Sequence, residues 1–180
     1  MKAVILAAGK GTRMRELTQA LPKPMLRAQG RPLLQHIVEG LVATGIRELC
    51  LITGWHGEVI REHFGDGTPW NVHITYAHQA VQDGTGKAPE MAKDFVGSDT
   101  FLLTYGDILV PPETYGQMQK RFGEAEFSGL LTVTQGEDVT QGGLNFFDDD
   151  FCLRRLIEKP SAAQIEQLRN DGWLPAGKPV

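Results

Sequence analysis

Short apolar runs alternate with helical patterns along most of this chain, and that alternation narrows the folds it can adopt. The segments Ala3–Leu6, Glu48–Thr53 and Phe101–Tyr105 are nearly all apolar, which is typical of parallel strands that are covered on both faces. Between the first two segments, apolar residues recur with helical period after Pro32, up to Gly45. Strands separated by helices in this way predict a layered α/β fold with a mostly parallel sheet.

The second half of the chain carries further strand and helix signals. Residues Phe127–Thr134 are rich in β-formers and predict one more strand. Residues 143–147 and 152–157 predict a strand pair that turns at the three aspartates between them. The segment from Ser161 to Gln164 has the pattern of a capping box, so we expect a last helix to begin there.

Composition excludes some classes of function and favours others. Eighteen Lys and Arg against 22 Asp and Glu give a net charge of -4, which does not support a nucleic-acid surface. No apolar run approaches the length of a membrane span and no signal peptide is apparent, so we expect a cytoplasmic protein. Cys50 and Cys152 lie far apart in apolar runs, and we expect both to be buried strand residues in a reducing compartment.

A glycine loop follows the first apolar run. Gly9 and Gly11 leave backbone N–H groups free to point at an anion. Lys10, Arg13 and Lys23 add three cations within a short stretch, and prolines on both sides of Lys23 stiffen its backbone. This combination predicts a binding site for a polyphosphate.

Two common phosphate loops do not fit this stretch. A Walker loop needs a lysine followed by serine or threonine, whereas Lys10 is followed by Gly11. A dinucleotide loop needs a third glycine at position 14, where the chain has Met14. The glycine loop therefore belongs to another class of phosphate-binding site.

Four polar segments each follow a predicted strand. They are residues 9–13, residues 79–85, Asp107 and residues 158–160. In a parallel sheet, ligands bind beyond the carboxyl ends of the strands. We therefore expect these segments to share one edge of the sheet and to form one site there.

The loop from Gly9 to Arg13, read as G-x-G-T-R, and the downstream Pro22-Lys23-Pro24 together resemble the signature of the sugar-1-phosphate nucleotidylyltransferases. The resemblance runs from Lys2 to Pro160 and implies a three-layer α/β/α, Rossmann-like nucleotidyltransferase fold. In that family a phosphate oxygen of a sugar 1-phosphate attacks the α-phosphorus of a nucleoside triphosphate, and pyrophosphate leaves. The reaction needs no protein nucleophile, only cations, backbone amides and Mg²⁺ to hold two polyanions together.

The resemblance also implies roles for individual residues. Arg13 would stabilise the departing pyrophosphate, Lys23 would reach the α-phosphate, and Asp107 would ligate Mg²⁺. The residues that would bind the nucleotide are Leu6, Ala8, Gly9, Gly11, Thr12, Gln79, Gly84 and Thr85. The residues that would bind the sugar phosphate are Gly143, Glu158 and Lys159.

The identity of the base depends on Gln79. A glutamine amide both donates and accepts, so it can pair with the imide edge of uracil or thymine, which favours UTP or dTTP. Guanylyl or cytidylyl transfer to a hexose 1-phosphate stays open, and so does a non-catalytic regulatory subunit that binds nucleotide sugars. The resemblance implies no nucleic-acid or membrane partner, and it allows a homo-oligomer.

The sequence departs from the family at several places. Ala8 stands where many members have a second glycine. Family catalytic domains also continue past the Glu-Lys-Pro motif and bring a second metal-binding aspartate, whereas this sequence ends at Val180. We therefore expect residues 1–180 to be a nucleotidyltransferase catalytic domain whose C-terminal part is missing from this chain.

Overall fold

The computed structural model describes residues 1–9, 11, 20–81, 86–124, 126–134 and 142–174. Two compact units account for the chain, Met1–Leu130 and Leu131–Val180. None of the helices within the described ranges is long and apolar enough to cross a membrane.

The first unit is organised around a parallel sheet. Its strands are β1 (Lys2–Ala7), β4 (Glu48–Thr53), β5 (His73–His78) and β6 (Phe101–Tyr105), and a small antiparallel pair is formed by β2 (Arg27–Ala28) and β3 (Arg31–Pro32). Within the described residues the sheet has the order β5-β4-β1-β6, and every neighbouring pair is parallel. The predicted parallel α/β arrangement is confirmed.

Helices connect these strands. They are α1 (Leu33–Ala43), α2 (Gly57–Phe64), α3 (Lys93–Val96) and α4 (Glu113–Gly123), with 3₁₀ turns at Lys23–Met25, Thr68–Trp70 and Ala88–Ala92. Helix α1 begins directly after Pro32, whose fixed φ suits a helix start. It ends before Gly45, which takes a φ of 87° that glycine adopts without strain.

The two faces of the sheet bury different side chains. Ala3, Ile5 and Ala7 of β1 face a core that includes residues of α1, α2 and α4. Val4 and Leu6 face the opposite way, toward a smaller core formed with residues 88–96. Because successive residues of a strand point to opposite faces, the apolar run predicted for β1 supplies both cores. The unit therefore has the three α/β/α layers that were predicted.

The second unit contains a hairpin and a helix. Strands β7 (Gly143–Phe147) and β8 (Leu153–Glu158) pair antiparallel, and helix α5 spans Ala162–Asn170. The predicted capping box is present: Ser161 accepts from the backbone of Gln164, and the Gln164 side chain accepts from the backbone of Ser161.

Two sequence-based predictions are wrong. Residues 127–134 form no strand, and Leu131 and Val133 are about half exposed. High β-propensity is not enough, because a strand also needs a partner and a surface to pack against. Cys152 is exposed, since it lies in the turn before β8 rather than inside the strand. Cys50 is buried as predicted, and burial raises the pKa of its thiol.

The larger core, which contains Ile5, Ala7 and Leu51, should contribute most to the free energy of unfolding. Leu51 lies in the middle of β4 and is fully buried, so Leu51→Ala is expected to lower the free energy of unfolding by about 2–5 kcal/mol. Urea titration followed by circular dichroism measures this change. Leu131→Ala, at a half-exposed position, is the matched control and should change the free energy by less than about 0.5 kcal/mol. Equal losses at the two positions would contradict this assignment of the core.

Candidate active site

The order of the strands creates a crevice at one edge of the sheet. Strand β4 lies on one side of β1, followed by β5, whereas β6 lies on the other side of β1. Such a switch in direction opens a cleft beyond the carboxyl ends of the two strands that flank it. Gly9 follows β1 and Asp107 follows β6, so the structure brings these two predicted residues to the cleft. Gln79 follows β5 at the same edge.

Lys23 and Asp107 form an ion pair at this edge. The Nζ of Lys23 lies 2.6 Å from Oδ2 of Asp107, and the two side chains are 35% and 27% exposed. These fractions make it a partly buried pair rather than a surface one, so its charges interact more strongly than those of typical surface pairs. Two residues that are 84 positions apart in sequence thus meet where the glycine loop begins.

Two backbone hydrogen bonds hold the turn that contains Lys23. The N–H of Met25 donates to the carbonyl oxygen of Pro22 at 2.8 Å, and the N–H of Leu26 donates to that of Lys23 at 3.1 Å. Pro24 and Met25 are buried, whereas Lys23 between the two prolines keeps its side chain partly exposed. The buried neighbours therefore anchor a short turn that presents Lys23 at the cleft.

Gly106 joins the two sides of the cleft, and sequence reasoning missed it as a functional position. Its N–H donates to the carbonyl oxygen of Leu6 at 2.8 Å. A Cβ at this position would lie 3.2 Å from Cβ of Ala7 and 3.3 Å from Cγ of Pro24. A side chain at Gly106 would crowd Ala7 of β1 and Pro24, which lies in the turn that carries Lys23. The sequence signal that could have identified Gly106 is its position between the strand Phe101–Tyr105 and Asp107.

The glycine loop is only partly described. Leu6 and Ala8 are buried, and a Cβ on Gly9 would meet no described atom within 4 Å. Gly11 takes a φ of 61°, which glycine adopts readily. Among the described residues, none would prevent a ligand from approaching the backbone at Gly9 closely. Lys10, Thr12, Arg13, Gly84 and Thr85 lie outside the described residues.

Gln79 is fixed through its backbone. Its N–H donates to the carbonyl oxygen of Thr53 at 2.8 Å, and Thr53 in turn donates its hydroxyl to the carbonyl oxygen of Ala77 at 3.2 Å. Thr53 is a buried polar residue, so these hydrogen bonds satisfy groups that water cannot reach. The end of β4 thereby fixes the backbone from which the Gln79 side chain extends.

The predicted sugar-phosphate residues lie together in the second unit. Gly143 and Glu158 are directly paired across β7 and β8, and a Cβ on Gly143 would lie 3.4 Å from Oε2 of Glu158. Lys159 has a φ of 46°, and its N–H donates to the carbonyl oxygen of Gly142 at 2.7 Å. Such a φ is uncommon for a residue other than glycine and is found disproportionately at functional sites. Gly143, Glu158 and Lys159 thus share one end of the hairpin.

The donors at the cleft fit a magnesium ion bound together with a polyphosphate. Mg²⁺ in nucleotide sites is usually held by one or two carboxylates, with phosphate oxygens and water completing its shell. Asp107 supplies one partly buried carboxylate at the cleft. Among the described residues no group of three or more His, Cys, Asp or Glu side chains could hold a metal by itself. Asp107 therefore fits an ion that arrives with phosphate ligands.

The sequence matches known proteins over nearly its whole length. Residues 2–174 match the profile of the family described as Nucleotidyl transferase. In Haloferax volcanii, the low-salt glycan biosynthesis nucleotidyltransferase Agl11 is 35% identical, and the match covers 89% of this chain and 45% of that protein. The UTP–glucose-1-phosphate uridylyltransferase AglF of the same organism is 36% identical, with 89% of this chain and 65% of that protein covered.

A solved structure supports the same fold. A UDP-glucose pyrophosphorylase complexed with UDP-glucose superposes with a TM-score of 0.73 at 21% identity, covering 89% of this chain and 69% of that one. At this level of identity the likeness concerns the fold, which is the Rossmann-like α/β arrangement. The chain spans about half to two thirds of the length of the two Haloferax relatives.

Proposed function

The chain belongs to the nucleotidyl transferase family, and on that premise we propose that it transfers a nucleotidyl group from a nucleoside triphosphate to a sugar 1-phosphate. The products would be a nucleoside diphosphate sugar and pyrophosphate. We propose that residues 1–180 supply the catalytic domain for this reaction, or the larger part of it. The name of the relative AglF, a UTP–glucose-1-phosphate uridylyltransferase, supports this class of substrates.

The observation that carries the proposal is the Lys23–Asp107 ion pair at the cleft beside the glycine loop. A reaction between two polyanions needs cations to offset charge in the transition state, and a carboxylate to hold a metal ion. Lys23 and Asp107 supply one of each within 2.6 Å. Both side chains remain partly exposed, so a substrate can reach them.

In the proposed reaction the two charges exchange partners. Without substrate, Lys23 and Asp107 neutralise each other. When the triphosphate occupies the glycine loop, Lys23 would turn to an α-phosphate oxygen and Asp107 would be left to hold Mg²⁺. The bound Mg²⁺ would neutralise charge on the phosphate oxygens. Lys23 stabilises the charge that develops as the sugar phosphate oxygen attacks, and Arg13 stabilises the pyrophosphate that leaves.

The sugar 1-phosphate is assigned to the residues at the end of the β7–β8 hairpin. Glu158 accepts hydrogen bonds from sugar hydroxyls, and Lys159 binds the phosphate. Gly143 lies directly opposite Glu158 in the hairpin, beside its carboxylate.

A pyrophosphate-release assay tests the proposed function. The 180-residue chain is mixed with glucose 1-phosphate, Mg²⁺ and each of UTP, dTTP, GTP and CTP in turn, and a binding titration is run with the same ligands. Release that requires both substrates supports the proposal. Binding of nucleotide without any release would instead support a non-catalytic subunit that binds nucleotide sugars.

The base preference gives a separate prediction. If Gln79 pairs with uracil or thymine, Gln79→Leu should lower kcat/KM for UTP or dTTP by about 10-fold or more, because a polar edge of the base is left without its partner. Steady-state assays with the four triphosphates measure this ratio. Gln117→Leu, on the exposed face of α4, is the matched control. A parent enzyme that strongly prefers GTP would contradict the assignment of Gln79.

A further inference from the structure

We propose that Gly54, directly after β4, is a positioning residue for the nucleotide-binding loop. The proposal rests on the proposed function, because it concerns the same nucleotide site. A Cβ on Gly54 would lie 2.8 Å from the carbonyl oxygen of Ala8 and 3.0 Å from its Cβ. Real side chains essentially never approach a backbone oxygen to 2.8 Å, so any residue larger than glycine would force one of the two segments to move.

Hydrogen bonds hold the segment of Thr53 and Gly54, at the end of β4, in place. The carbonyl oxygen of Gly54 accepts the N–H of Gly57 at 3.1 Å, and the carbonyl oxygen of Thr53 accepts the N–H of Gln79 at 2.8 Å. The turn is also packed tightly, since a Cβ on Gly57 would lie 2.9 Å from Cβ of Thr53. In addition, β4 is held between β1 and β5 by parallel pairing. The Ala8 side follows directly on β1, whose Ala7 pairs with Thr53 of β4. A side chain at position 54 would therefore strain both segments, and a shift of either one would change the separation between Ala8 and Gln79.

The position of Gly54 links the two parts of the nucleotide site. On one side it contacts Ala8, next to the open backbone of Gly9, where a phosphate or ribose would approach. On the other side its neighbour Thr53 fixes the backbone of Gln79, which is assigned to the base. The end of β4 thus sets the separation between the loop that binds phosphate and the residue that reads the base.

Ala8 is the complementary partner of Gly54. Its methyl group lies in the space that the absent side chain of Gly54 leaves, so the pair Ala8 and Gly54 fills that space together. A glycine at position 8 would return some of this space and allow its own backbone to shift more freely. Ala8→Gly would therefore remove the 3.0 Å contact with Cβ and ease the 2.8 Å contact with the carbonyl oxygen only through a shift of the backbone, so we expect it to compensate in part for a side chain at position 54.

The test is the affinity for nucleotide. We expect Gly54→Ala to raise the dissociation constant for Mg²⁺–UTP at least 10-fold in isothermal titration, and to raise the KM for UTP similarly. The KM for glucose 1-phosphate should change less than 2-fold. A smaller folded fraction would instead lower the apparent kcat and leave both KM values unchanged, so the rise in the KM for UTP alone identifies a local effect. Gly116→Ala on α4 is the matched control, because its added Cβ would lie at an ordinary 3.7 Å from Thr44.

A second variant decides the case in which Gly54→Ala folds poorly. Adding Ala8→Gly to Gly54→Ala should recover at least 3-fold of the lost nucleotide affinity. A Gly54→Ala dissociation constant within 2-fold of the parent value would overturn the proposal, and so would a double variant no better than the single one. If the parent binds Mg²⁺–UTP but releases no pyrophosphate, the proposed reaction fails, while the dissociation constants still decide the role of Gly54.

Discussion

Asp107→Asn is expected to lower kcat for pyrophosphate release by about 100- to 1000-fold. The substitution keeps the shape of the side chain but removes the charge that would hold Mg²⁺ and that pairs with Lys23 at 2.6 Å. Because Lys23 is partly exposed, water can solvate it once its partner is neutral, so the fold should survive. Steady-state kinetics at several Mg²⁺ concentrations, together with thermal unfolding, measure both effects.

The same strand provides the matched control for this variant. Asp99 precedes β6 and pairs with Lys2 at 2.8 Å, whereas Asp107 follows β6 and pairs with Lys23. The hydrogen bond and charge of Lys2 lower the pKa of Asp99, so it is ionised as a true ion-pair partner. Asp99→Asn should leave kcat within about 2-fold. Mg²⁺-dependent activity of Asp107→Asn near the parent level would remove Asp107 from the site.

Lys23→Met should have two effects of opposite sign. It should lower kcat/KM by about 100-fold or more, because the α-phosphate loses its cation while the apolar stem of the side chain is kept. It should also strengthen, by about 3- to 10-fold, the weak binding of Mn²⁺ that a single carboxylate gives the substrate-free protein, because Asp107 is no longer neutralised by Lys23. Electron paramagnetic resonance counts free Mn²⁺ and so measures this affinity without any turnover.

Lys2→Met removes the corresponding cation at the opposite end of β6. It should change neither the kinetics nor the affinity for Mn²⁺. If Lys23→Met bound Mn²⁺ no better than the parent chain, the exchange of partners between Lys23 and Asp107 would be wrong. A loss of activity in Lys23→Met without that gain would leave Lys23 as a phosphate ligand only.

The parallel core could be predicted closely because its sequence pattern has a direct physical cause. Glu48–Thr53 and Phe101–Tyr105 have in the structure the bounds that the sequence predicts. The first strand is apolar because it is buried on both faces, whereas Phe101, Leu103 and Tyr105 of β6 are each about 40% exposed. Because the carboxyl ends of parallel strands lie at the same edge of a sheet, Asp107 and Gln79 could be placed together at that edge without knowledge of contacts.

Other features depend on contacts that no local pattern encodes. Residues 127–134 have the composition of a strand but form none, because pairing requires a partner elsewhere in the chain. Gly54 and Gly106 look like ordinary turn glycines in the sequence. Their importance follows from distances to Ala8 and Pro24, which only the folded chain defines. The Lys23–Asp107 pair likewise needed the strand order, since it joins segments on either side of the cleft.

The most direct test of the account is the product formed by the 180-residue chain. The chain is incubated with glucose 1-phosphate, Mg²⁺ and each of UTP, dTTP, GTP and CTP in turn, and each mixture is analysed by liquid chromatography and mass spectrometry beside Asp107→Asn. We predict that the parent forms the nucleoside diphosphate glucose together with pyrophosphate in equal amounts, only when both substrates are present, and that Asp107→Asn forms almost none. Nucleotide binding with no nucleotide sugar formed from any of the four triphosphates would contradict the account.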